Sequence, residues 1–338
     1  MKPKIVSIFS GAGGIDIGFK KAGYDVVLST DYWKIACETL VKNGFKDTVC
    51  DDISNIDFTK TLNKHTNIDG VVGGPPCPPF SKSRFYLKNK GRGINDSDGE
   101  SSLLNFIRCI KETKPKFFLF ENVPGFAFKP HKSSLDFLLD EVGKLGFKPT
   151  YDVINMADYG VPQTRERFIC IGILGKEYKF PETTHAKAKT PKKKDWVTAG
   201  DVLNSIDFDL PEDEKMLAGS KHKDLLKDIP PGDNYLFLTE KRGHKNPQFK
   251  WRSRYWSFLL KLSPNRPSWT IQASHSNNMG PFHWKNRFLR INEIKKLQSF
   301  PNDHKFIGSY KDQWRQIGNA VPPKFSKILA NSIADYLD

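Results

Sequence analysis

A chain of 338 residues can form one large domain with an insertion, or two domains. Hydrophobic residues make up 38% and charged residues 27%, the balance of a soluble globular protein, and no apolar run approaches the roughly 20 residues that span a bilayer. Lys and Arg number 53 against 38 Asp and Glu, and the resulting formal charge of +15 favours polyanionic partners, nucleic acid first. Five cysteines, with no Cys-x-x-Cys pair, argue against a disulfide framework or a zinc site, so no metal is expected. The apolar stretch before Gly11 is too short for a signal-peptide core, and a cytoplasmic, nucleoid-associated protein is expected.

Residues 4–9 alternate and are β-rich, and Ser10-Gly11-Ala12-Gly13-Gly14 follows directly. A helix from Ile15, stopped at Gly23, leads to a strand over 24–29 that ends at Asp31. A helix over 33–41, a short third strand before Asp51 and a strand over 68–72 complete a βαβαβ opening. Helices over 103–113 and 133–145 and strands over 117–120, 151–155 and 168–174 extend it, which predicts an α/β fold with a mostly parallel sheet. From 176 to 284 the periodicity fades, leaving a smaller irregular domain with strand-like pieces at 235–238 and 269–272. Helix returns at 292–298 and after Pro322-Pro323, the last expected to pack back on the first domain.

Val71 and Val72 run into Gly73-Gly74-Pro75-Pro76-Cys77-Pro78-Pro79-Phe80-Ser81, where Gly breaks the strand and Pro fixes several φ angles. Cys77 therefore stands on a stiff turn at a strand end. The loop alone leaves two readings, a nucleophile on a rigid mount or a Cys that packs as a small hydrophobe. The Gly-rich turn at 10–14, with Asp31 about 20 residues on, suits a nucleotide-like cofactor at the first βα turn. The dinucleotide fingerprint would need a third Gly where Asp16 stands, and an acid facing a pyrophosphate disfavours a nicotinamide. A cofactor with ribose and adenine but no phosphates fits, as S-adenosylmethionine does. Glu121 opens from an apolar strand, where burial can raise its pKa, and Gln163, Arg165 and Arg167 alternate along an extended entry to the next strand. The lysine-rich tract at 187–194 and the mixed cations and aromatics at 251–256 suit phosphates and bases.

Phe9-Ser-Gly-Ala-Gly-Gly14, Asp31, Asp51-Asp52-Ile53, Gly74-Pro75-Pro76-Cys77, Glu121-Asn122-Val123, Gln163-Thr-Arg165-Glu-Arg167 and Gln316-Ile-Gly-Asn319-Ala-Val321-Pro-Pro323 occur in the order of the motifs of the DNA (cytosine-5) methyltransferases, a family this chain resembles over about 3–174 and 287–338. The resemblance implies a Rossmann-like, S-adenosylmethionine-dependent methyltransferase fold of bacterial restriction-modification type. It implies a catalytic and cofactor-binding domain over 1–178, a target-recognition domain over 179–286, and a hinge with a returning C-terminal helix over 287–338. Cys77 would add to C6 of a flipped cytosine, Glu121 would act on N3 and the exocyclic amine, Arg165 would contact the base O2, and Arg167 would support the site. Phe9, Gly11, Gly13, Asp31, Tyr32, Asp52, Ile53, Pro75, Asn319 and Val321 would surround the cofactor. Ser81, Ser83 and Arg84, within a lid over 81–100, would close on duplex DNA, and Arg252 and Arg254 would contact it.

Two departures stand out. Pro78 follows the Cys where the family usually has Gln, and Asp31 replaces the usual Glu. Cys37, Cys50, Cys109 and Cys170 match no family nucleophile and read as packing residues. The rival readings are an RNA methyltransferase on the same scaffold, an inactive DNA-binding module and a nucleotide-dependent oxidoreductase. A monomer is expected, with a cognate restriction endonuclease that forms no stable complex with it.

Overall fold

The structure is a computed structural model that describes residues 1–63, 65, 67–76, 97–204, 222–274 and 276–337, without the side chains of 97–100. Its centre is a seven-stranded sheet built from β1 (Lys4–Ile8), β2 (Asp25–Asp31), β3 (Thr48–Cys50), β4 (Gly70–Gly73), β5 (Phe117–Asn122), β6 (Phe147–Asn155) and, after the two-residue β7 (Gln163–Thr164), β8 (Glu166–Leu174). The order is β3-β2-β1-β4-β5-β8-β6. All neighbours are parallel except β8, which runs antiparallel to both β5 and β6. The expected mostly parallel α/β sheet is what forms.

The central strands are buried on both faces, so they read as nearly continuous apolar runs. Phe118 and Phe120 of β5 face one core with Phe106 and Ile110 of the helix Ser97–Thr113 and Leu138 of the helix Lys132–Lys144. Phe117 and Leu119 face the other, with Ile15 and Phe19 of α1 (Gly14–Lys21) and with Phe325, Leu329 and Ile333 of the C-terminal helix, Pro323–Ala334. That helix approaches α1 so closely that a Cβ on Gly18 would overlap Ser326, and the Tyr24 hydroxyl donates to the Ala330 carbonyl at 2.9 Å. It therefore packs back on the sheet as expected.

Several elements depart from expectation. Phe9 ends β1 because it takes φ 54°, in the left-handed region. The helix Ser97–Thr113 begins inside the expected 81–100 lid, whose last four residues are its first turn. Residues 235–238 form a 3-10 helix instead of a strand, because the Asn234 side chain caps the Leu236 N–H at 3.0 Å. A ten-residue helix, Tyr310–Asn319, was not anticipated; Ser309 and Asp312 cap each other at its start.

Beyond β8 the chain is irregular, with short parallel pairs of β9 (His185–Ala186) with β10 (Lys194–Asp195), and of β11 (Ser268–Trp269) with β7. Residues such as Leu226, Tyr235, Leu238, Phe258 and Phe282 form a small separate core. Leu203, Leu262 and Ile271 instead share a core with Ala12, Ile17 and Leu40 beside the sheet. The irregular part is thus seated on the first αβ units. Among the described residues, no helix is long and apolar enough to cross a membrane.

Candidate active site

The carboxyl ends of β1, β2, β3, β4 and β5 lie along one sheet edge, where an open α/β fold gathers its ligand-binding loops. Gly11 and Gly13 take φ 54° and 83°, which the turn after β1 requires, and a Cβ on Gly11 would meet nothing within 4 Å. The Asp31 carboxylate joins two turns, accepting from the Gly11 N–H at 2.8 Å and the Trp33 N–H at 2.9 Å. Burial pushes its pKa up, and those N–H groups oppose the shift. Beside it the Tyr32 ring is 62% exposed, and the Arg315 guanidinium lies over the Trp33 ring at 4.4 Å.

Asp52 is exposed; Oδ1 accepts from the Ser54 N–H at 2.8 Å and its hydroxyl at 2.5 Å, which holds the carboxyl below its usual range. Ile53 is half-buried against the core. Asn319 is exposed at the end of its helix, whereas Val321 is buried, and its carbonyl sits where a Cβ on Gly14 would be. Asp16 does not face this edge. It is fully buried, accepting from the Ser7 and Ser29 hydroxyls at 3.0 and 2.7 Å, and burial raises its pKa to about 6. The acid expected to face a pyrophosphate is a strut between β1 and β2, so it gives no argument about the cofactor.

At the next two strand ends lies a buried ion pair. Arg167 Nε reaches Glu121 Oε1 at 2.9 Å, with both side chains largely buried. Burial pushes the Glu121 pKa up, with Arg167 and Arg165 pulling the other way. The other carboxylate oxygen lies against Gly74, where a Cβ would stand 2.7 Å from Oε2. Pro75 is buried beside it, its carbonyl 3.5 Å from Asn122 Nδ2. The turn leading to Cys77 therefore leaves the sheet against Glu121. Cys77, Ser81, Ser83 and Arg84 lie outside the described residues.

Arg165 takes a different place from the one expected. Its fully buried guanidinium donates to the carbonyls of Ile271 at 3.2 Å, Gly318 at 2.9 Å and Asn319 at 3.5 Å. The two arginines diverge because the chain changes sheets between them: β7 pairs with β11, and β8 enters the main sheet. Among the other cysteines, Cys37, Cys109 and Cys170 are buried and their thiol pKa values rise by burial, whereas Cys50, expected to pack, is exposed.

On the irregular part, Trp251, Tyr255 and Trp256 are exposed, with Lys241 and Arg252 over the Trp251 ring at 4.7 and 5.9 Å and Arg254 over Phe258 at 5.8 Å. Trp256 meets Trp269 edge-on at 5.6 Å, and Trp269 pairs with Thr164, next to Arg165. The aromatic and cationic surface thereby reaches β7, the strand that precedes Arg165. Trp33, Arg315 and Gln298 also belong to this region without a sequence motif of their own, although Trp33 follows Tyr32 and Arg315 precedes Gln316.

A sheet of this order, with a glycine turn and acids along its carboxyl edge and a buried Glu-Arg pair beside the turn that begins at Gly74, is an α/β fold whose candidate site lies at the strand ends. Residues 3–335 match the C-5 cytosine-specific DNA methylase family. The chain is 36% identical to the Type II methyltransferase M.SacI of Streptomyces achromogenes, covering 98% of this chain and 93% of that one. It is 33% identical to M.NgoFVII of Neisseria gonorrhoeae, over 98% and 86% of the two chains. The fold is shared with the S. pombe Dnmt2 methyltransferase at a TM-score of 0.66, 17% identity and 100% and 98% coverage. The chain belongs to the C-5 cytosine-specific DNA methylases and is a DNA cytosine-5 methyltransferase.

Proposed function

We propose that the chain transfers a methyl group from S-adenosylmethionine to C5 of a flipped cytosine in a specific duplex DNA site, through a covalent adduct of Cys77. The reading rests chiefly on the buried Glu121 carboxylate, with Arg167 on one oxygen and Gly74, three residues before Cys77, against the other. C5 of cytosine is a weak nucleophile. Addition of the Cys77 thiolate to C6 pushes electron density toward C5 and N3, and Glu121, whose pKa burial raises against the pull of Arg167 and Arg165, protonates or hydrogen-bonds N3 and the exocyclic amine. Arg167, already on Glu121, is the arginine within reach of the same base; Arg165 holds the backbone around it. Loss of the C5 proton after methylation lets the thiolate leave.

The cofactor edge fits S-adenosylmethionine: the space over Gly11 is open, the Tyr32 ring is exposed for an adenine, and Asp31 and Asp52 offer carboxylates for ribose hydroxyls and an amine. Phe9, Gly13, Ile53, Pro75, Asn319 and Val321 complete that edge. When bound, the cofactor supplies an electrophilic methyl group. DNA would lie over Arg252, Arg254 and the exposed aromatics, with Ser81, Ser83 and Arg84 closing from the other side, and base flipping costs a few kcal/mol. The division at 1–178, 179–286 and 287–338 follows from this reading, the middle part reading the site and a cognate restriction endonuclease sharing it. Bisulfite sequencing of plasmid from cells expressing the chain tests it. Protected cytosines at one recurrent duplex site are expected; a fully converted plasmid, with methyl transfer to RNA instead, contradicts it.

A further inference from the structure

Two fully buried glutamines join the cofactor edge to the strand that carries Trp269. The Ile271 N–H donates to Gln163 Oε1 at 3.0 Å, Gln163 Nε2 donates to Gln298 Oε1, and Gln298 Nε2 donates to the Ala320 carbonyl. Arg165 closes a second route between the same ends, donating to the Ile271 and Gly318 carbonyls. Ala320 stands between Asn319 and Val321, and Ile271 lies two residues beyond Trp269.

The direction of these bonds matters. Each amide takes a hydrogen bond at its oxygen and gives one from its nitrogen, so the series runs head to tail and its members polarise one another in a site closed to water. Such a series has one arrangement in which every group is satisfied. Displacing the Ala320 carbonyl or the Ile271 N–H leaves a buried amide group unpaired, which the fold resists. A movement of the 319–321 turn is therefore felt at Ile271.

We propose that Gln163 and Gln298 are positioning residues that couple cofactor binding at the 319–321 turn to DNA binding at the Trp269 strand. The inference rests on the functional reading above. Linkage makes the coupling reciprocal, so S-adenosylhomocysteine and DNA strengthen each other's binding by the same factor, typically 5- to 150-fold for an allosteric pair.

The test measures Kd for the methylated-site duplex with and without saturating S-adenosylhomocysteine. The wild-type protein is expected to bind DNA at least fivefold tighter with the probe. Gln298→Met, which keeps the volume and removes both amide ends, should bring that factor within twofold of one while leaving affinity for the probe alone within about threefold. Gln163→Met should do the same, and the double variant should lose no more than either single one, since the two act in series. A merely structural role would lower the melting temperature and leave the factor unchanged. Hydrogen exchange on the wild-type chain needs no variant: the probe without DNA should slow exchange at the Ile271 amide. A wild-type factor retained in either folded variant overturns the proposal, as does unchanged exchange at Ile271. A factor of one in a wild-type protein that still methylates DNA overturns the coupling and leaves the function standing; absence of both probe binding and methylation overturns the functional reading itself.

Discussion

Replacing Arg167 with Leu removes the partner of a carboxylate that the fold has buried, and the cost depends on pH in a calculable way. At high pH, Glu121 must stay charged without its partner, for which roughly 3–5 kcal/mol is typical of a broken buried pair. It can escape by taking a proton, which costs about 1.4 kcal/mol for each pH unit above its ordinary value of 4.5. At pH 5.5 that route caps the loss at about 1.4 kcal/mol; at pH 8.5 the cap, about 5 kcal/mol, no longer protects. The sign follows from burial favouring the neutral acid, so stability falls as pH rises through the raised pKa. At roughly 2 °C per kcal/mol for a chain of this size, Arg167→Leu should melt about 3 °C below wild type at pH 5.5 and about 6–10 °C below it at pH 8.5. Scanning calorimetry at the two pH values measures this. Glu121→Gln with Arg167→Leu should recover most of the high-pH loss. An equal loss at both pH values would refute the reasoning, because it would mean that Arg167 stabilises by packing and not by its charge.

Asp16 should show the same sign more simply. Its pKa of about 6 means that its own contribution to stability is greatest at low pH and declines as pH rises from about 4 to 6, by on the order of 3 kcal/mol; Asp16→Asn should remove that contribution from the melting profile. Tyr32→Ala should leave the melting temperature within about 1 °C, because the ring is exposed, and weaken S-adenosylhomocysteine binding roughly 5- to 30-fold, the range for about 1–2 kcal/mol of base stacking. Isothermal titration decides it, and an unchanged affinity removes Tyr32 from the cofactor edge. Gly18→Ala should destabilise by about 1–3 kcal/mol, since its Cβ has no room against Ser326, and denaturant unfolding measures the loss.

The first half of the chain was legible because its strands are buried on both faces and end in glycine turns, which gives runs such as Phe117 to Phe120 an unmistakable pattern. The irregular part was not. Tyr-Leu-Phe-Leu at 235–238 is a short apolar run that periodicity cannot assign, and the deciding group, the Asn234 side chain, is a single local hydrogen bond. The helix at Tyr310–Asn319 has few apolar residues, and the Ser309 and Asp312 cap was its one clear signal. In the site, motif order located the strand ends but not the directions of side chains. Arg165 and Arg167 alternate and so read as one pair, yet the change of sheet between them sends one to backbone carbonyls and the other to Glu121. Gln298 carried no signal at all, because its partners, Gln163 and Ala320, are distant in the chain.

The central claim, that Cys77 attacks the base, is tested most directly by incubating the protein with S-adenosylmethionine and duplex DNA carrying 5-fluorocytosine at the methylated position, where the C5 substituent cannot leave as a proton. A denaturation-resistant protein–DNA adduct, mapped by mass spectrometry to Cys77 and absent in Cys77→Ser while that variant still binds S-adenosylhomocysteine, is the predicted result. An adduct that persists in Cys77→Ser, or no adduct from a wild-type protein that methylates the same duplex, would contradict the account.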